Sequence, residues 1–264
     1  MDDLKIIQNK IERLAYEYFG DMDCSENFSY PLIPRISEEY LKNRFVVMGQ
    51  ETKTWKGHIY APDVRKNFLE GSLAEYDRFV RDEVPCYGGK FWEFSRSLYE
   101  NVFKKPICNE NALSHCWINL FCIEQLVCRN DDDETHLPSQ NRKLANRIME
   151  IQKDFVFQVM KLIRPKIILA MIGNKNDDLF RKYVLGTECV DEKSIDCSKT
   201  FGEWSMVEFK EFEVRDTMNP LYGTFILRTY HPRYFMGYMR GKERKELYKN
   251  LIYEKIRTFL KNKK

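Results

Sequence analysis

The sequence predicts a three-layer α/β/α fold around a central, mostly parallel four-stranded sheet, and three observations carry that prediction. The apolar run Arg44-Phe45-Val46-Val47-Met48 stops abruptly at Gly49-Gln50-Glu51, the pattern of a buried strand whose carboxyl end opens into a loop. A second run, Lys166 to Ile172, repeats that ending at Gly173-Asn174 directly after a long amphipathic segment. Recurrence of helix, strand and glycine marks the βαβ units of a parallel sheet. Two further runs, Cys116 to Leu120 and Thr224 to Tyr230, carry Asn119 and His231 at their ends. Sheets of this kind bind ligands beyond the carboxyl ends of their strands. Glu51, Asn119 and His231 are therefore candidates for one cleft.

The remaining elements follow in order. Leu4, Ile7, Ile11, Leu14, Ala15 and Tyr18 recur at helical spacing over 3–19, and Gly20 closes that helix. Pro31 and Pro34 predict an extended lead-in, after which Ser37 caps a short turn before the first strand. The polar and aromatic segment 52–62 is read as a pocket wall or lid, and helices are expected near 64–82 and 89–103. The aromatic stripe of the second, from Phe91 to Phe103, reads as core packing. A second strand is expected at about 115–121. The acidic cluster 131–134 reads as a solvated loop, because consecutive carboxylates repel and point apart. One long helix is expected over 139–163, stopped by Arg164-Pro165. Residues 186–222 carry short β-like runs that fit an edge hairpin or an insertion, and a basic helix closes the chain from about 242.

A chain of 264 residues with 43% hydrophobic content supports a sizeable core, and one domain over 1–264 is expected. The net charge of +3 is unevenly spread: from Arg228 onward twelve Lys/Arg face three Glu, which leaves residues 1–227 net acidic. A basic end on an acidic body suits a polyanionic partner at one face. Eight cysteines without a Cys-x-x-Cys pair read as reduced thiols of the cytoplasm. Cys108, Cys116, Cys122 and Cys128 do not have the spacing of a zinc framework, so no metal is expected. No apolar run approaches the roughly 20 residues of a membrane span, and no membrane or obligate protein partner is expected of what reads as a monomer.

Three short motifs resemble those of the uracil-DNA glycosylase superfamily. They are Gly49-Gln50-Glu51-Thr52 after a strand, the apolar strand ending in Asn at Trp117-Ile118-Asn119-Leu120, and His231-Pro232 followed by Arg233-Tyr234-Phe235-Met236. The resemblance covers about 40–260 as architecture and some fifteen residues as motif. It implies a monofunctional DNA glycosylase without cofactor, with DNA as partner. By that likeness Glu51 and His231 are catalytic, the acid under the sugar and the imidazole at the departing base. Gln50, Asn119, Trp55 and Tyr60 line the base pocket, with Asn119 reading a flipped pyrimidine and Tyr60 stacking on it. Tyr234, Phe235 and Met236 supply the wedge that fills the vacated stack, and Arg233, Arg240 and Lys242 hold phosphates.

The chain departs from the family at informative places. Thr52, Lys53, Thr54 and Trp55 stand where uracil-specific members carry the proline and the aromatic that excludes thymine. The paired cysteines that hold an iron-sulfur cluster in some members are missing, and Arg233 follows the His-Pro pair where Ser is usual. An altered wall beside C5 favours a modified base, such as a hypermodified cytosine of invading phage DNA. Housekeeping uracil excision and a non-catalytic DNA-binding module of the same fold are the alternatives. A nucleotide- or sugar-phosphate enzyme is disfavoured, since no glycine-rich phosphate loop of the usual pattern is present.

Overall fold

The computed structural model describes residues 2–21, 28–51, 67–105, 115–129, 132–195, 209–238 and 241–262. Its centre is a sheet of six strands, two more than the sequence predicts. The four expected strands are β1 (Phe45–Gly49), β2 (Cys116–Asn119), β5 (Ile167–Ala170) and β8 (Phe225–Arg228), all parallel in the order β2-β1-β5-β8. The additional pair, β6 (Val190–Ile195) and β7 (Phe209–Val214), is antiparallel and extends the sheet beyond β8. Within 186–222, the described residues thus include an antiparallel pair at the sheet edge.

Alternation along the strands divides the core. Val46, Met48, Ile118, Ile168, Ala170 and Ile226 face one side. There they pack against α1 (Asp2–Phe19), α5 (Arg142–Gln152) and α6 (Phe155–Ile163). Phe45, Val47, Ile167, Leu169 and Leu227 face the other, against α4 (Lys90–Phe103) and the terminal helix α8 (Lys242–Asn262); the one-turn α7 (Asp177–Phe180) follows β5. Burial on both faces is what a central parallel strand requires, and it explains the unbroken apolar runs.

Local chemistry sets the boundaries. The Ser37 hydroxyl accepts from the Tyr40 N–H at 3.1 Å and caps α2 (Glu38–Asn43), which Arg44 closes at φ 51°. The helix expected near 64–82 is α3 (Phe68–Arg78) continued by a π-helical turn, Phe79–Glu83. The single helix expected over 139–163 is broken in three: a 3₁₀ turn at Pro138–Gln140, then α5, then α6. Lys153 makes the second break at φ 45°. The loop expected after Glu124 is instead a two-stranded hairpin, β3 (Gln125–Arg129) with β4 (Asp132–His136). No helix among the described residues is long and apolar enough to cross a membrane.

Candidate active site at the carboxyl edge of the sheet

β1 and β2 end side by side, with Gly49 in register with Asn119. Their pairing continues past the strand ends, as Leu120 N–H donates to Gly49 O at 2.9 Å and Phe121 N–H to Gln50 O at 2.8 Å. Only a glycine permits this approach: a Cβ on residue 49 would lie 2.5 Å from Asn119 Oδ1 and 3.2 Å from the Phe91 ring. The Asn119 amide oxygen thus occupies the space that a side chain at residue 49 would take, on the sheet face covered by α4.

Asn119 is 1% exposed, and its amide is oriented by its own strand. The Trp117 indole N–H donates to Asn119 Oδ1 at 3.0 Å. An indole nitrogen can only donate, so the amide oxygen must face it and the NH₂ must face away. That NH₂ has no hydrogen-bond partner among the described residues. Buried donors are nearly always satisfied, so an amide left open at a strand end is a place for a ligand acceptor.

His231 follows β8. Its Nδ1 accepts the Arg233 backbone N–H at 3.1 Å, which in a neutral ring assigns the proton to Nε2. Burial, with the Arg233 charge adding to it, lowers the imidazole to a pKa of about 4. The ring stacks on Phe91 at 5.9 Å and 22°. Phe91 thus stands beside both His231 and the space a side chain at residue 49 would need. A helical aromatic stripe predicts core packing for Phe91, and nothing in that spacing signals its stack on His231.

Glu51 lies just beyond the edge and reaches toward the start of α5. The Ser139 hydroxyl donates to Oε1 at 2.5 Å and the Ser139 N–H to Oε2 at 2.9 Å. Burial raises the Glu51 carboxyl above its ordinary value, and these two bonds pull it partway back. Gln50 is held separately, its side-chain N–H donating to Ile172 O at 2.7 Å. A Cβ on Gly173, at φ 71°, would sit between the Gln50 amide and the Tyr230 ring, 3.8 and 3.9 Å from them.

After His231 the chain makes a π-helical turn, Arg233–Tyr238. Phe235 is fully buried, edge-on to Phe94 at 5.0 Å and against Tyr248 at 4.4 Å. It anchors the turn to α4 and α8 and does not stand free as a wedge. Tyr234 stacks on Tyr230 at 4.7 Å, and Met236 is half-buried against the same cluster. Arg233 and Lys242 are exposed, whereas Lys245 is spent on Met236 O at 2.8 Å. Trp55, Tyr60 and Arg240 lie outside the described residues. Among the described residues, no group of three or more His, Cys, Asp and Glu is arranged to hold a metal ion. No protein-family model matches the chain, and no curated protein matches it.

Proposed function

We propose that the chain is a monofunctional DNA glycosylase that hydrolyses the N-glycosidic bond of a flipped pyrimidine carrying a C5 modification. The observation that carries the reading is the open, buried NH₂ of Asn119 at the same sheet edge as a partly buried carboxylate and a neutral imidazole. A base entering such an edge meets a fixed donor for an acceptor on its pairing side.

Breaking the bond leaves positive charge on the deoxyribose and negative charge on the base, so the two ends of the site need opposite complements. The Glu51 carboxylate is the anion for the sugar and the acceptor for a proton of the attacking water. Water oxygen bonds to the sugar C1′, the glycosidic electron pair leaves with the base, and the base takes its proton from solvent. His231 acts as an uncharged donor: with Nδ1 occupied by the backbone, Nε2–H is the group it offers to the base. A ring with a pKa of about 4 stays neutral near pH 7, which suits a hydrogen bond to developing negative charge. The exposed Arg233 and Lys242 are the phosphate contacts, and binding should weaken steeply with salt.

The test is a panel of duplexes carrying uracil, 5-hydroxymethylcytosine or its glucosylated form, assayed for abasic sites. Abasic sites at the modified cytosines support the reading. Excision of uracil alone restricts the protein to the housekeeping alternative. Glu51→Gln separates catalysis from a binding module, since it should abolish excision while DNA affinity stays within about twofold; equal cleavage by the variant rules out this role for Glu51.

A further inference from the structure

We infer that Ser139 is the positioning residue of the site, holding the Glu51 carboxylate in one orientation from the far side of the chain. The inference rests on the glycosylase reading for its consequence and on geometry for its existence. Ser139 makes two hydrogen bonds, one to each carboxylate oxygen, through two different groups. A carboxylate gripped at both oxygens has lost rotation about its terminal torsion, which otherwise is broad and roughly two-fold. Glu51 and Ser139 are 88 residues apart, so the grip is made by the fold.

The platform that carries Ser139 is itself fixed. Ser139 occupies the 3₁₀ turn Pro138–Gln140, closed by Asn141 N–H donating to Pro138 O at 3.1 Å. The Asn141 side chain then accepts from Leu144 N–H at 3.2 Å and caps α5. Pro138 is buried. A proline-led turn locked to a capped helix leaves the hydroxyl little freedom to follow a moving carboxylate, so the carboxylate must come to it. Among the described residues no ion pair reaches Glu51, and Ser139 supplies the hydrogen bonds that offset its desolvation.

An acid that must both face a sugar cation and take a proton from water depends on which oxygen points where. Each carboxylate oxygen has a second lone pair, so the grip leaves one lone pair per oxygen for water and sugar. It also favours the ionised form, in which Glu51 can act as base. Loss of the hydroxyl removes one of the two bonds and loosens the orientation.

The experiment compares the native 264-residue chain with Ser139→Ala, Ser139→Thr and Ser139→Cys. Rates are followed against pH on whichever duplex the panel selects, and the Glu51 carboxyl is titrated by ¹³C NMR. For Ser139→Ala, kcat should fall roughly 10- to 100-fold, the scale of a small misplacement of a reacting group, with KM unchanged within about twofold. The acid limb of the rate profile and the Glu51 titration should both move to higher pH. Ser139→Thr, which keeps the hydroxyl, should recover most of the rate. If Ser139→Ala does not fold, Ser139→Cys, a weaker donor of similar size, should move kcat and titration in the same direction.

An unchanged Glu51 titration overturns the inference, whatever happens to the rate, because a merely structural serine would leave the carboxyl as it was. If the native chain makes no abasic sites on any duplex, the glycosylase reading fails; the titration still decides whether the grip exists.

Discussion

The Trp117 indole and the Asn119 amide, two residues apart on one strand, are joined by a 3.0 Å hydrogen bond that fixes which end of the amide is left open. Trp117 is itself held among Trp92 at 4.8 Å, Tyr76 at 5.6 Å and Phe79 at 5.6 Å. Trp117→Phe should fold but leave a buried carbonyl without its donor, at a cost of about 1–3 kcal/mol. Urea unfolding measures that cost. On the proposed glycosylase reading, excision should fall as well, because the amide is then free to turn; a variant with native stability and native rate would show that the bond orients nothing.

Gly49→Ala tests the close approach of β1 and Asn119. The new methyl would meet Asn119 Oδ1 at 2.5 Å and the Phe91 ring at 3.2 Å, and Oδ1 cannot retreat without breaking the Trp117 bond. Overpacking of this kind costs roughly 1–3 kcal/mol. A lowered melting temperature and a reduced rate are expected. A melting curve superimposable on the native one would show that the space is slack.

Acidification should destabilise the fold through two histidines. Burial holds His115 and His231 each at about pKa 4, against 6.5 for an unperturbed ring. The unfolded chain therefore takes up these protons first. The associated stability is complete above pH 6.5 and is lost as pH falls toward 4, each ring contributing up to about 1.4 kcal/mol per pH unit within that window. Glu51 works in the opposite sense, since a carboxyl raised by burial lets the native state hold its proton longer, and its contribution declines as pH rises from the ordinary carboxyl value through the raised one. Urea midpoints between pH 7 and 4.5 measure the sum. His115→Phe should flatten the profile; an unaltered slope would remove His115 from the account.

Phe91→Ala should open the His231 ring to water. Loss of the stacked ring relieves the desolvation that depresses the imidazole, so its NMR titration should move up toward 6.5. A charged ring is a worse partner for the neutral-donor role, and the rate near the new titration point should fall. An unmoved titration would mean that other groups exclude the water.

Asp177→Ala should be among the most damaging single changes. Arg228 is fully buried, and its Nε lies 2.8 Å from Asp177 Oδ1 and its Nη2 2.9 Å from Oδ2, with Lys210 Nζ at 3.1 Å. Removing the acid takes two close contacts from a fully buried guanidinium, for about 3–5 kcal/mol. A denaturant midpoint within experimental scatter of the native value would contradict this.

Much of the frame is written in the sequence because its strands are buried on both faces. Each therefore appears as an unbroken apolar run with an abrupt polar end, and β1, β2, β5 and β8 are legible in that way. What pattern reading missed has other physics. β6 is an edge strand bearing Asp191, Glu192 and Lys193, so it has no apolar signature. The acids of β4 have low strand propensity, which tertiary context overrides. The break at Lys153 is invisible because α5 and α6 bury their faces in the same core and their periodicities run on. In the site, the strand-end positions of Glu51, Asn119 and His231 were legible. The Trp117 and Ser139 partners were not, since a hydrogen bond to a side chain leaves no period in the sequence.

The opening strand leaves no room for adjustment at either terminus. Arg44 fastens its start: the guanidinium donates to Ile163 O at 2.6 Å and Leu41 O at 3.2 Å, while its carbonyl accepts from Lys166 N–H at 2.8 Å. Five residues later the chain is already abutting Asn119. Inserting or deleting one residue between these two points would invert every side chain in the segment, turning Gly49's vacant side toward the wrong helical layer. Any change in what this edge presents must therefore come from the residues beyond it, because the span that delivers Glu51 has a single admissible length.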